Sequence, residues 1–324
     1  MTTKIVEQPT AGLTDLISID DLSGAQISEL FSITDSVKPV ISTPGNPYEH
    51  ALAGKSIIML FEKPSLRTRI SFEVGLTKLG AHAMYYDHSK QRIGERESVR
   101  DYALNLERWV DGVIARTYSH QTLIDLAEHG SVPVVNALSD DEHPCQVLAD
   151  LYTLHEAFGS VSGLKLAWVG DGNNVCHSLM IGCAKLGVSM TAVTPKGFVP
   201  GSRFVESARA AGQNTGATIT LSDSLDAVEG HHAVYTDTWV SMGQDSEADS
   251  RGNAFAGYQV SAGVMALASK GLGERSKFMH CLPAHRGEEV TDEVIDSGES
   301  LVYEQAENRM HAQNSLFLKL FGKA

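Results

Sequence analysis

The chain has 324 residues, 42% of them hydrophobic and 20% charged, which allows two packed domains and excludes a disordered chain. Its formal charge of −14 argues against nucleic acid as a main partner, because a phosphate backbone needs a broad basic surface. A small anionic substrate stays open, since a pocket needs only a few local arginines.

In chain order, residues 1–7 (MTTKIVE) contain no apolar stretch of a signal peptide, and no apolar run along the chain is long enough to span a bilayer. A cytoplasmic protein with no membrane partner is expected. Segment 18–38 reads as a capped amphipathic helix with Ile27, Leu30, Phe31 and Ile33 able to share one apolar face. Then come a strand at 55–61, a helix at 65–79, a strand at 82–87, a helix at 97–109, a strand at 112–116, a helix at 119–128 and a strand at 132–137. A long helical stretch, 144–158, follows. Strands at 164–170, 188–194, 217–221, 233–237 and 277–282 resume the alternation, with helices between most of them. This rhythm indicates βαβ units. The expected fold is α/β, with two doubly wound parallel-sheet domains joined by interdomain helices. Segment 241–257 is polar, acidic and glycine-containing, and reads either as a solvated loop or as a lid. The last helix, 306–321, has no strand after it and can pack back onto either domain. The four cysteines, Cys145, Cys176, Cys183 and Cys281, form no CxxC pair and have no zinc spacing, so free intracellular thiols and no metal are expected.

The most informative stretch is 61–69, FEKPSLRTR. It follows an apolar strand and opens a helix, with Pro64 and Ser65 favouring the helix start. First-turn N–H groups, Arg67 and Arg69, and the hydroxyls of Ser65 and Thr68 together make an anion site. Cations at a helix N-terminus oppose its dipole, so two arginines there are unfavourable unless an anion binds. The GxxxxGK[ST] pattern of a P-loop is absent.

Residues 164–185 place a Gly170-Asp171-Gly172 turn between a strand and a helix, which is reminiscent of a dinucleotide fingerprint. Val175 stands where its third glycine belongs, and the next strand ends in Thr194-Pro195-Lys196 with no acidic residue for a ribose. Asn173 and Asn174 can bond a ligand or cap the helix. His143 and Gln146 can project from one side of a first turn; His143 reads as a carbonyl donor or as a capping residue. Cys281, at a strand end, reads as a nucleophile, a polar contact or a buried thiol. Asp237 and Arg116 also end strands, and Arg309 opens the final helix after an acidic run.

The set SLRTR (65–69), HPCQ (143–146), GDGNN (170–174), DxxxSMG (237–243), HCLPA (280–284) and ENRMH (307–311), in this order, resembles the aspartate/ornithine carbamoyltransferase family. SLRTR and HPCQ are similar to the whole family, SMG and HCLP to its ornithine branch. The resemblance implies transfer of a carbamoyl group from carbamoyl phosphate to the side-chain amine of L-ornithine, without a cofactor. It implies that Ser65, Leu66, Arg67 and Thr68 bind the phosphate, with Arg116 bridging phosphate and carbonyl. His143 and Thr68 would polarise the carbonyl oxygen. Gln146 and the backbone of Cys281 and Leu282 would hold the carbamoyl amide, with Arg309 reaching the same substrate. Asn174, Asp237, Ser241 and Met242 would bind ornithine. Residues 1–142 would form the carbamoyl phosphate domain, with 306–324 packing back on it, and 143–305 the ornithine domain. The family is built from trimers with active sites between subunits, so a homotrimer or a multiple of trimers is expected.

Two positions depart from the family pattern. Arg92 replaces a glutamine in the loop that reaches a neighbouring subunit's phosphate, and Leu66 stands where many relatives have threonine. Arginine also binds phosphate, and Leu66 need supply only its backbone N–H. Cys281 and Asp237 are expected to orient the amine without a covalent adduct, since His280, next to Cys281, should point to the opposite face. Putrescine or an acylated ornithine as acceptor, a non-catalytic relative, and a dinucleotide-binding oxidoreductase are the alternatives. The Ser241-Met242-Gly243 segment, the retained polar set and Val175 argue against them in turn.

Overall fold

The computed structural model describes residues 12–240 and 248–324. The segment after the N-terminus begins with two caps where one helix was expected. Ser18 caps a short 3-10 turn, Ile19–Asp21, and Ser23 forms a capping box with Gln26 that starts α1 (Gly24–Val37).

The first sheet is built from β1 (Ser56–Phe61), α2 (Leu66–Lys78), β2 (His82–Asp87), α3 (Val99–Leu106), β3 (Gly112–Arg116), α4 (His120–His129) and β4 (Val134–Leu138). Its strands are parallel in the order β2-β1-β3-β4. The connecting helix α5 (Pro144–Phe158) has proline in its first turn and ends at Gly159, whose φ of 74° supplies the left-handed cap. The second sheet follows: β5 (Lys165–Val169), α6 (Asn174–Lys185), β6 (Ser189–Val193), α7 (Ser202–Thr215), β7 (Ile219–Ser222), β8 (Ala233–Thr236), α8 (Ala248–Phe255), α9 (Ala262–Ala268) and β9 (Lys277–His280). It is also parallel, in the order β7-β6-β5-β8-β9. Short α10 (Asp292–Ile295) leads to α11 (Val302–Leu320), which returns to pack on α5, α1 and α2.

Three further expectations change. Residues 248–255 form a helix within the segment read as a loop, while Ser241 and Met242 lie outside the described residues. The last helix starts at Val302, so Arg309 sits in its interior instead of opening it. The acidic lead-in is itself helical, because Glu304 in the first turn complements the dipole. The strand expected at 277–282 stops at His280, because Leu282 takes a φ of 57° that no strand accommodates.

The strand order reverses between β1 and β3 in one sheet and between β5 and β8 in the other. Open parallel sheets bind ligands at such switch points, outside the carboxyl ends of the strands. Here the residues that follow these strands meet in one cleft.

Candidate active site

The cleft encloses about 430 Å³. Its first wall is the start of α2. Ser65 is the N-cap, its Oγ accepting from the Thr68 N–H at 3.4 Å and donating to Thr68 Oγ1 at 3.0 Å. Arg309, arriving from α11, donates through Nη2 to the same Thr68 oxygen at 3.0 Å. Arg67, Leu66 and Arg116 line this wall with them. Arg69 does not; it turns away to pair with Glu73 at 3.1 Å and to lie 4.1 Å from the Tyr85 ring centroid.

Arg116 and Arg309 are buried and have no carboxylate partner within ion-pair distance among the described residues. Burial, and then the neighbouring Arg309, push the Arg116 guanidinium down to about 9, and burial lowers Arg309 too. Two buried cations without a counter-ion are costly unless an anion completes the site. Among the described residues, the buried atoms left without a hydrogen-bond partner include Arg116 Nε, Arg309 Nε, His143 Nδ1 and Gln146 Oε1, and all four residues line this cleft.

His143 is the N-cap of α5, yet its side chain makes no capping bond, which removes the capping alternative. Its backbone N–H donates to Ser178 Oγ at 2.9 Å and its ring faces the cleft. Burial, with Arg309 and Arg116 nearby, holds its pKa well below the usual histidine value, so the ring is neutral at neutral pH and presents one N–H donor.

The opposite wall comes from the second sheet. Asp237, just past β8, is buried, and its two oxygens are fixed by three donors. Oδ1 accepts from Cys281 Sγ at 3.0 Å and from the Thr238 N–H at 2.8 Å, and Oδ2 accepts from Asn173 Nδ2 at 2.8 Å. Asn173 also caps α6, accepting from the N–H groups of Val175 and Cys176. Asn174 lines the cleft, its Nδ2 donating to the Ser139 carbonyl at 2.6 Å. Burial and the Asp237 carboxylate push the Cys281 thiol well above the usual cysteine value. It is thus a protonated hydrogen-bond donor, not a thiolate.

Asp237, His280 and Cys281 bring three potential metal-ligand atoms within 4.8 Å of one another. Both His280 ring nitrogens are nevertheless engaged: Nδ1 accepts from the Leu282 N–H at 2.9 Å and Nε2 donates to Glu289 at 3.1 Å. The imidazole serves the backbone turn that carries Cys281 and Leu282 into the cleft.

The chain is similar in sequence and fold to known carbamoyltransferases. Residues 14–156 match the family model for the aspartate/ornithine carbamoyltransferase carbamoyl-P binding domain, and residues 162–320 match that for the Asp/Orn binding domain. The ornithine carbamoyltransferase of Shewanella oneidensis is 50% identical over 307 residues, 94% of this chain and 98% of that protein. That of Vibrio sp. is 48% identical over 308 residues, covering 94% and 99%. The solved ornithine carbamoyltransferase from Pyrococcus furiosus superposes with a TM-score of 0.90 at 41% identity, covering 97% of this chain and all of that one.

The chain belongs to the aspartate/ornithine carbamoyltransferase family.

For this carbamoyltransferase, the cleft gathers nearly every described residue singled out from the sequence: Ser65 to Thr68, Arg116, His143, Gln146, Asn174, Asp237, Cys281, Leu282 and Arg309. Arg92 is outside it. Its guanidinium lies 4.2 Å from the Tyr118 ring centroid, and the Lys63 ammonium lies 4.3 Å from the same centroid. Ser241 and Met242 fall outside the described residues. Sequence reasoning passed over Lys63, which lines the cleft and whose pKa is lowered by burial and by Arg116. Its place between the end of β1 and the start of α2 was the available signal. It also missed Asp150 beneath the cleft, which sits four residues after Gln146 on α5 and is bonded to it.

Proposed function

We infer that the chain transfers the carbamoyl group of carbamoyl phosphate to the side-chain amine of L-ornithine, giving L-citrulline and phosphate, in arginine metabolism. The observation that carries this reading is the convergence of unpartnered buried donors and one unpartnered amide oxygen in a single cleft, facing an oriented carboxylate across it.

In this reading the start of α2, with Ser65, Leu66, Arg67 and Thr68, holds the phosphate, and Arg116 and Arg309 complete the charge. Thr68, Arg116 and the neutral His143 aim donors at the carbonyl oxygen, where negative charge develops as the amine attacks. Gln146 and the backbone carbonyls of Cys281 and Leu282 take the carbamoyl NH₂. Asn174, Asp237, Ser241 and Met242 hold ornithine. The amine nitrogen bonds to the carbonyl carbon, the C–O bond to phosphate breaks, and the departing phosphate accepts the proton that the amine loses. No covalent intermediate on Cys281 is needed, in keeping with its protonated thiol.

The reading divides the chain at residue 142 into a carbamoyl phosphate domain and an ornithine domain, with residues 306–324 returning to the first. It places the protein in the cytoplasm, where four free cysteines suit reducing conditions. The described helices include none long and apolar enough to cross a membrane. The assembly is a homotrimer or a multiple of trimers. Support comes from an exposed apolar stripe on α2, where Leu66 is 75%, Ile70 47% and Val74 39% exposed beside the cleft. Arg92, outside its own cleft, then reaches a neighbour's phosphate.

The deciding assay measures citrulline formation from ornithine beside carbamoylation of putrescine and acetylornithine. Ornithine should be the preferred acceptor. Faster turnover with either alternative would overturn the assignment.

A further inference from the structure

A glutamine amide offers a donor on one side and an acceptor on the other, and nothing in its shape says which a substrate will meet. At Gln146 the choice is made by a neighbour. Nε2 donates to Asp150 Oδ1 at 2.8 Å, and Oε1 has no partner among the described residues. Asp150 is fully buried and accepts two further bonds, from Gln305 Nε2 at 2.8 Å and from the Tyr235 hydroxyl at 2.9 Å. No cation pairs with it among the described residues. Burial raises its carboxyl to about 6, so it is ionised at neutral pH.

An ionised carboxylate only accepts. Reversing the Gln146 amide would set oxygen against oxygen, so Oε1 is the atom left for the cleft. The same logic fixes Gln305. Its Nε2 faces Asp150, which leaves its Oε1 to accept the His280 N–H at 2.9 Å. His280 immediately precedes Cys281 and Leu282, both of which line the cleft.

We propose that Asp150 is a positioning residue that sets the hydrogen-bond polarity of the carbamoyl pocket. It fixes Gln146 as an acceptor for the carbamoyl NH₂ and, through Gln305, holds the end of β9 so that the Cys281–Leu282 backbone meets the same group. The proposal rests on the reading of Gln146 as the amide contact. It explains how one buried charge that touches no substrate lets the enzyme distinguish an NH₂ from a methyl group.

Carbamoyl phosphate and acetyl phosphate differ by that replacement. The quantity to measure is the preference between them: the Ki of acetyl phosphate as a competitor divided by the KM for carbamoyl phosphate. In Asp150→Asn the amides can flip, and the preference should fall about tenfold, the value of one hydrogen bond, while the Ki of acetyl phosphate stays near wild type. A purely structural role for Asp150 would weaken both ligands together and leave the ratio unchanged, and that result overturns the proposal. Gln146→Leu separates the two layers. If it loses the preference and Asp150→Asn keeps it, the positioning role is wrong. If Gln146→Leu itself keeps the preference, the amide reading fails and the positioning role falls with it. Should Asp150→Asn not fold, Gln305→Leu is read instead, since it leaves the carboxylate in place: a reduced preference supports the proposal, and an unchanged one in a folded variant refutes it.

Discussion

Replacing Asp237 by asparagine keeps its volume and changes only charge and hydrogen-bond polarity. In the wild type all three neighbours of the carboxylate are donors: the Cys281 thiol, the Thr238 N–H and Asn173 Nδ2. Asparagine has one acceptor oxygen. If that oxygen keeps Cys281 and Thr238, its Nδ2 is set against Asn173 Nδ2, donor to donor. Displacing these partners costs on the order of 1 kcal/mol. The larger loss is the charge offered to an ornithine ammonium, a charge-assisted contact worth about 1.5–3 kcal/mol. Together these predict a fall of roughly 10²–10³-fold in kcat/KM for ornithine. The KM for carbamoyl phosphate should barely move, because the phosphate wall lies across the cleft. Steady-state citrulline assays with each substrate varied in turn give both numbers. A variant within about threefold of wild type for ornithine, or one that loses carbamoyl phosphate affinity instead, would refute the assignment of Asp237 to the acceptor wall.

Cys281→Ser should retain activity within about tenfold of wild type, since a hydroxyl still donates to Asp237; a carbamoyl adduct on Cys281, trapped by mass spectrometry without acceptor and discharging to ornithine, would contradict direct attack. Arg67→Ala should weaken carbamoyl phosphate binding by about 2–4 kcal/mol without loss of fold, and unchanged KM and turnover would count against the phosphate site. His143 is neutral when folded and gains a proton on unfolding below its ordinary value, so it contributes stability that is present above about pH 6.5 and lost as pH falls. His143→Gln should therefore shallow the acid loss of stability by up to about 1.4 kcal/mol per pH unit below that point, as read by denaturant titrations across pH; an unchanged slope would mean the ring is already charged in the folded protein. Ornithine should bind measurably in calorimetry only after carbamoyl phosphate or an analogue, and tight binding to the free enzyme would exclude that order.

The parallel sheets were legible because most of their strands are short buried runs with helical periodicity between them; β3 and α5 fall where the pattern put them, and so does β2, although none of its residues is buried. The candidate anion cleft was legible for a different reason: arginines at the start of α2 oppose the helix dipole, and of the two read from the sequence only Arg67 lines the cleft, while Arg69 turns to Glu73. What stayed hidden was pairing at long range. Asn173 reads as a cap, which it is, but its other bond, to Asp237 64 residues away, depends on how β5 and β8 lie side by side. Asp150 looks like any carboxylate on a helix until Gln305 and Tyr235 arrive from distant elements to meet it. Residues 248–255, with a central glycine and little apolar pattern, gave no helical signal of their own.

The electrostatics of the two walls bear on the hardest step, which is presenting a neutral amine. A free alkylamine titrates near about pH 10.4, so neutralising it at pH 8 costs roughly 3 kcal/mol. Asp237 works against that neutralisation wherever it meets an ammonium, because an anion favours the charged form. The thiol changes the balance. Cys281 donates its proton to Asp237 Oδ1, so the thiol of this cleft residue has only weakly accepting lone pairs left to offer. An amine held by sulfur gains little from keeping its charge. On the proposed reading, Arg116 and Arg309 across the cleft would repel an ammonium until phosphate neutralises them, and the phosphate would itself be the base to which the proton passes. A thiolate at position 281 would undo this arrangement by stabilising the ammonium. On the proposed reading, the thiol that donates to Asp237 would help the site favour attack, and the same hydrogen bond leaves Cys281 unsuited to be the nucleophile.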